Sequence, residues 1–309
     1  MLSMKKVAIY GYYRPEKSFT YLLLLLDLLL KRGVEVLFQK DFYEKLLQHR
    51  NFSQEHSESL LTSYPPFQTF STYEDLPEDT NVFFTYGGDG TILRALTYIR
   101  DKGIPIFGIN AGRLGFLATV QKEQLEKAVE QYFNGQYSIS ERNLVAIETQ
   151  PEHADIQKMN FALNELVVNR KNTTAMINID AYIDDEYLAT YWADGLIVAT
   201  PTGSTAYSLS CGGPIMVPEA MNFIINPIAP HNLTVRPLVV PNEHHIKLKV
   251  SSREPEFLIS LDSRVYSLPI DTEISVYTAP FIIKLIQFKE NSFIKTLQKK
   301  LWWAKDERN

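Results

Sequence analysis

A short apolar, aromatic run, Val82 to Tyr86, stops at Gly87-Gly88-Asp89-Gly90-Thr91, and a helical pattern follows at once. The run reads as a buried strand, because it is apolar, rich in aromatics and bounded by a breaker. Residues Thr91 to Leu96 then carry the apolar spacing of a helix. Gly87 and Gly88 are able to take positive φ, and without a Cβ they let another molecule approach the main chain. The unpaired N–H groups and dipole at the helix start favour an anion, so Gly87, Gly88, Gly90 and Thr91 are candidate phosphate contacts. Asp89 is the odd residue, a negative charge where phosphate is expected. It caps the helix, holds a metal ion, or accepts a proton from a hydroxyl undergoing phosphorylation. The loop fits neither the Walker A pattern nor GxGxxG.

The surrounding chain alternates strand and helix. Lys6–Tyr10, Val34–Phe38 and Ile104–Ile109 are expected strands, while Tyr21–Leu30, Asp41–Gln48, the segment from Thr91 to about Asp101, and Gln121–Phe133 are expected helices. A turn is expected at Gly11–Pro15, and residues 50–80 are polar and read as a loop or excursion. Strict alternation implies a parallel sheet with helices on both faces, and such sheets bind ligands at strand C-termini. A second glycine loop, Asn110 to Gly115, follows the strand at 104–109, which adds Gly112 and Arg113 to the candidate phosphate contacts. The leucine run is interrupted by Asp27, is too short to span a bilayer and follows a strand, so it reads as a buried helix rather than a signal peptide.

After about residue 140 the texture changes to short runs rich in β-branched residues. Leu144–Thr149, Ala162–Val168, Ala175–Ile183, Gly195–Ala199, Ile246–Val250, Leu258–Leu261, Arg264–Leu268, Glu273–Tyr277 and Phe281–Phe288 are expected strands. The expected architecture is an α/β N-terminal doubly wound domain, residues 1–140, plus an all-β sandwich-type C-terminal domain, residues 141–290. Residues 291–309 have amphipathic helical spacing and form a tail that packs back on the body or meets a partner. A net charge of -5 and a pI near 5.8 supply no basic field for nucleic acid. One cysteine, Cys211, excludes an internal disulfide and fits a reducing cytoplasm.

Two further clusters carry chemistry. Asp194 to Pro214 packs hydroxyl residues among glycines, which suits a polar, neutral ligand such as a nucleoside or ribose, or a turn bonded to its own backbone. Asp194 is able to accept a hydrogen bond from a ligand, or is an ordinary turn aspartate. Asn164-Glu165 sits inside an apolar run, where two polar residues cost free energy unless bonded. Glu165 is able to take both hydroxyls of a ribose; an edge strand with solvated polar residues is the alternative. No Cys/His spacing suits a metal.

Taken together, Gly87–Thr91, the segment Asn110–Leu117 (NAGRLGFL), Asn164-Glu165, Asp194–Pro214 and Arg236-Pro237-Leu238 resemble the NAD kinase family. The GGDGT loop also occurs in phosphofructokinases and lipid kinases, and the long hydroxyl-rich motif separates the families. The resemblance implies transfer of the ATP γ-phosphate to the 2′-hydroxyl of the adenosine ribose of NAD, giving NADP, with Mg²⁺ as cofactor. It implies Asp89 as proton acceptor, Gly87, Gly88, Gly90 and Thr91 against phosphates, and NAD held by Asp89, Gly90, Arg94, Asn164, Glu165, Asp194, Thr205, Ala206, Tyr207, Ser208, Leu209 and Ser210. It further implies a homodimer or homotetramer. Ala175 departs from the family pattern, and the match at Arg264 is loose. A lipid or sugar kinase leaves the Asp194–Pro214 motif unexplained, and a non-catalytic dinucleotide sensor leaves Asp89 unexplained.

Overall fold

The computed structural model describes residues 5–12, 19–50, 66–172 and 175–302; residues 13–15 of the expected turn and 51–65 of the expected excursion lie outside these. The chain divides into two compact units, Met1–Glu141 with Ile283–Asn309, and Arg142–Ile282.

The first unit opens with β1 (Lys6–Gly11), α1 (Phe19–Leu30), β2 (Glu35–Gln39), α2 (Lys40–Arg50) and β3 (Gln68–Phe70). It continues through β4 (Val82–Gly87), α3 (Asp89–Ile99), β5 (Ile106–Asn110), β6 (Val120–Gln121), α4 (Leu125–Phe133) and β7 (Ser138–Arg142). Strand order runs β3-β2-β1-β4-β5, with each neighbouring pair parallel. All six residues of β4 are buried, as a central parallel strand covered on both faces requires. Leu22, Leu25, Leu26 and Leu29 of α1 pack into the same core as Phe84 and Phe107. Gly33 (φ 67°) and Gly135 (φ 70°) follow α1 and α4 in the left-handed conformation that stops a helix. The strand order reverses between β1 and β4, with Gly11 opposite Tyr86, so Gly87–Thr91 leaves the sheet at its switch point. The three-residue β3 lies inside the expected 50–80 excursion; an edge strand that short shows no period. The expected helix over Gln121–Phe133 starts later, after β6 and a 3₁₀ turn at Lys122–Gln124.

The second unit contains β8 (Val145–Gln150), α5 (Ala154–Lys158), β9 (Phe161–Ala162), β10 (Glu165–Arg170), β11 (Ile177–Ile183), β12 (Glu186–Ala193) and β13 (Gly195–Ala199). Then come α6 (Tyr207–Ser210), β14 (Asn222–Ile228), β15 (Leu238–Pro241), β16 (Ile246–Ser251), β17 (Glu256–Leu261), β18 (Arg264–Pro269) and β19 (Glu273–Thr278). They form two six-stranded sheets, β15-β14-β13-β10-β17-β18 and β12-β11-β16-β19-β8-β9. Apolar residues of both sheets, among them Leu166, Val198, Phe223, Ile179 and Val276, share one core. The expected single strand at Ala162–Val168 is two strands in different sheets, with the chain crossing at Leu163-Asn164. The crossing is stable because its main-chain groups are taken from outside the ladders. Asp262 accepts from the Leu163 and Asn164 N–H groups (2.9 and 2.8 Å), and Thr200 donates to both their carbonyls.

Strand β20 (Ile283–Gln287) joins the sheet of the first unit, parallel to β5 and beside β7, and α7 (Phe293–Leu301) follows it. Among the described residues no helix is long and apolar enough to cross a membrane.

Candidate functional site

In the first unit the site is built by two glycine loops that lock together through one carboxylate. Asp89 is the first residue of α3, but its side chain does not cap that helix; the N-cap position is Gly88, and no side-chain cap bond forms there. It reaches instead to the second loop, where Phe116 N–H donates to Oδ2 (2.8 Å) and Leu117 and Ala118 N–H donate to Oδ1 (3.0 and 2.9 Å). A carboxylate offers about four lone-pair sites. Three are filled by fixed amides, and Oδ2 keeps room for one more donor. The side chain remains 29% exposed, so a ligand has access to it.

The second loop is shaped by Asn110, which is fully buried. Its Nδ2 donates to Arg113 O (2.6 Å) and Ala118 O (3.2 Å), while Oδ1 accepts from Gly112 N–H (2.7 Å). Ala111 N–H donates to Gly87 O (3.0 Å), which ties this loop to the first. Arg113 and Gly112 are exposed at its outer edge.

The glycines act through space rather than through φ. Gly88 has φ −115°, and none of Gly87, Gly88 and Gly90 is in the left-handed region. A Cβ on Gly87 would meet Thr91 Oγ1 at 2.1 Å, so Gly87 makes room for the buried Thr91 side chain. A Cβ on Gly88 or Gly90 would meet nothing within 4 Å, leaving their main chain open to a ligand. Arg94, one turn along α3, has its guanidinium 5.2 Å from the centre of the Tyr12 ring and lies close enough to Tyr10 to act on its hydroxyl. Burial pushes the Tyr10 hydroxyl up, with Arg94 acting in the opposite sense. Tyr10, Tyr12, Asp41, Lys45, Arg94 and Tyr98 line a cavity of about 580 Å³ at the ends of β1 and β2.

In the second unit the crossing at Leu163-Asn164 brings together three loops. Glu165 is buried, the Tyr207 main-chain N–H at the start of α6 favours its charged form, and Oε2 has no hydrogen-bond partner. Burial, and secondarily the nearby Asp262 carboxylate, pushes Glu165 up to about 8. Asp262 is also raised by burial, but the amides of Leu163, Asn164 and Glu165 and the Arg264 guanidinium pull it back. Asp262 is therefore the better holder of charge in this pair, and Glu165 of the proton. Gly203 packs so tightly on the crossing that a Cβ would lie 2.0 Å from Asn164 O.

The hydroxyl-rich stretch divides its labour. Thr200 donates to Leu163 O, Ser204 to Pro201 O (2.6 Å), Thr205 to Thr202 O (3.2 Å), and Ser208 accepts from Asn226 Nδ2 (3.1 Å). Those hydroxyls fasten the loop, as Ser and Thr do in turns. Tyr207 and Ser210 are exposed, Ala206 and Leu209 half-buried. Asp194 sits in an ion pair with Arg170 (3.1 Å). Sequence reasoning missed two kinds of participant: the amides of Phe116–Ala118, which have no side-chain signature, and Asp262, whose value lies in a contact 98 or 99 residues away. Arg264 donates to the Met159 and Phe161 carbonyls, a structural duty at the same crossing.

Comparisons with known proteins show the family. The family model of the ATP-NAD kinase N-terminal domain matches residues 13–137, and that of the C-terminal domain matches residues 163–288. An NAD kinase of Christiangramia forsetii is 47% identical over 304 residues, covering 98% of this chain and 100% of the relative. One of Flavobacterium psychrophilum is 44% identical with the same coverage. Among solved structures, yeast NADH kinase complexed with NADH gives a TM-score of 0.84 over 98% of this chain and 89% of its own, at 24% identity, a likeness of fold. An NAD kinase from Archaeoglobus fulgidus in complex with ATP gives 0.71 over 95% and 98%, at 25% identity.

Proposed function

The chain belongs to the NAD kinase family, and we propose on that premise that Asp89 is the group around which it phosphorylates NAD with ATP. The terminal phosphate of ATP passes to the 2′-hydroxyl of the adenosine ribose of NAD, and NADP and ADP leave. A bond forms between the 2′-oxygen and the γ-phosphorus, the bond from that phosphorus to its bridging oxygen breaks, and the hydroxyl proton passes to Asp89 Oδ2. The observation that carries this reading is the arrangement of that carboxylate. Three amides orient it, while Oδ2 keeps an acceptor site beside the open main chain of Gly88 and Gly90. Because phosphoryl-transfer transition states are loose, orientation and electrostatics count for more than the strength of the base.

Gly87, Gly88, Gly90 and Thr91 lie against the phosphates, with Gly112 and Arg113 as further contacts from the second loop. Gly90 and Arg94 contribute to NAD binding from the first unit. In the second unit, Asn164, Glu165, Asp194 and the segment Thr205–Ser210 hold the dinucleotide, with the Glu165 carboxyl on ribose hydroxyls. Its unpartnered Oε2 supports that role, since a buried oxygen without a donor is costly in the empty protein.

Mg²⁺ neutralises the triphosphate when bound. Among the described residues no cluster of three or more His, Cys, Asp or Glu forms a metal cage. Mg²⁺ is commonly held by one or two carboxylates plus substrate phosphates rather than by an all-protein cage. The lone cysteine supports a cytoplasmic location. Family resemblance supports a homodimer or homotetramer, which sedimentation equilibrium decides.

The test is NADP formation from NAD and Mg-ATP by the purified protein, read with an NADP-specific dehydrogenase, for wild type and Asp89→Asn. Turnover that disappears in the variant supports the assignment. An Asp89→Asn protein that turns over at the wild-type rate removes Asp89 from the chemistry.

A further inference from the structure

The terminal helix α7 is built to deliver a charge. One face of it carries Phe293, Thr296, Leu297 and Lys300, the i, i+3, i+4, i+7 spacing, with Lys300 exposed at its end. Ser292 caps it by accepting from Lys295 N–H, and Thr296 and Leu297 are buried. The Phe293 ring packs 6.1 Å from the ring of Phe116, one of the residues whose amide holds Asp89. At the fourth position of the stripe, where another apolar residue would be ordinary, stands Lys300. Its ammonium lies 4.7 Å from the Phe116 ring centre and 3.8 Å from Asp89 Oδ2. Among the described residues, Lys300 is the cation within 4.0 Å of that carboxylate. The last turn of a helix also favours a positive charge.

We propose that Lys300 binds the terminal phosphate of the donor and offsets the charge of Asp89 while the phosphate approaches. This rests on Asp89 being at the phosphoryl-transfer centre. A polyanion meeting an uncompensated carboxylate is repelled, whereas the Asp89–Lys300 pair presents no net charge and one ammonium aimed at the acceptor oxygen. Cations placed where phosphoryl charge develops are a standard means of lowering such barriers. Lys299, exposed like Lys300, makes neither the Phe116 nor the Asp89 contact, so the neighbour serves as a control.

The experiment compares Lys300→Met, Lys300→Arg, Lys299→Met and Asp89→Asn with wild type. Read out are kcat and KM for Mg-ATP, the NAD dissociation constant by calorimetry, and the thermal midpoint. Lys300→Met is expected to lower kcat/KM for ATP by roughly tenfold to a hundredfold, the usual loss for a charged contact to a reacting phosphate. Lys300→Arg recovers most of this, and Lys299→Met matches wild type. NAD affinity and the thermal midpoint stay near wild type in all three lysine variants. The proposal is overturned if Lys300→Met keeps wild-type kcat/KM for ATP while Asp89→Asn is inactive. It is equally overturned if Lys300→Met lowers ATP use, NAD affinity and thermal midpoint together and Lys300→Arg does not recover them, because that describes a packing residue. An active Asp89→Asn protein brings down the reading of Asp89 itself, and Lys300 with it.

Discussion

Gly115 leaves empty the space that the Asp89 carboxylate occupies: a Cβ on Gly115 would lie 1.9 Å from Asp89 Oδ1 and 2.6 Å from its Cγ. The second glycine loop therefore approaches α3 closely enough for three successive amides to grip one side chain. Gly115→Ala is expected to push the carboxylate off these amides. Stability falls by about 1–3 kcal/mol, the usual cost of overpacking, and turnover falls more steeply than the loss of folded protein explains. Rates normalised to the folded fraction, measured by circular dichroism, check this; unchanged normalised rates count against Asp89 as the centre.

Asp89→Asn keeps the shape and changes the bonding. One of its two terminal atoms becomes an N–H donor facing backbone N–H groups, leaving a buried donor without a partner at about 1–3 kcal/mol. Loss of proton acceptance lowers kcat by roughly 10²–10⁴, while NAD binding weakens only moderately. Calorimetry with NAD beside steady-state kinetics separates the two. Equal losses in both would make Asp89 a binding residue.

Glu165 makes the protein's response to pH specific. Its folded-state value of about 8 lies above the ordinary 4.5, so between these values the folded protein holds a proton that the unfolded chain releases. Its contribution to stability is full below the lower value and is lost as pH rises toward the upper one. The slope from this single group is at most about 1.4 kcal/mol per pH unit. Glu165→Gln should flatten that segment of the stability curve in chemical denaturation from about pH 5 to about pH 9. Ribose hydroxyls donating to the carboxylate favour its charged form, so NAD binding near neutral pH releases close to one proton. Calorimetry in two buffers of different ionisation enthalpy reads this directly, and no release would falsify the ribose contact.

Gly203 couples the hydroxyl-rich loop to the Asn164 crossing. The atoms that a new side chain would strike are the Asn164 carbonyl oxygen, carbonyl carbon and Cα, which are backbone and yield poorly. Gly203→Ala should cost about 1–3 kcal/mol and raise KM for NAD more than KM for ATP. A variant with wild-type NAD kinetics would place the dinucleotide elsewhere.

Much of the architecture was legible in the residues. The strand Val82–Tyr86, its glycine loop and the following helix are local, because burial on both faces and a breaker fix them within ten or so residues. The alternation that spells a parallel sheet and the β-branched runs that spell a sandwich are also local patterns, repeated. Short pieces such as β3 and β6 were not legible, since two or three residues carry no period. The crossing at Leu163-Asn164 looked like continuous strand, because both halves are apolar and only a distant carboxylate reveals the break.

What the sequence determined by itself is the set of elements and the chemistry available at the ends of two strands, because propensity and hydrophobic period act over neighbouring residues. What only the tertiary structure decided is the state of each side chain. Asp89 is gripped by amides 27 to 29 residues away, and Asp262 holds amides 98 and 99 residues distant. Lys300 reaches Asp89 from the final helix. Hydrogen bonds and charges act over a few ångströms of space, and no local pattern records which distant groups folding will bring within that reach.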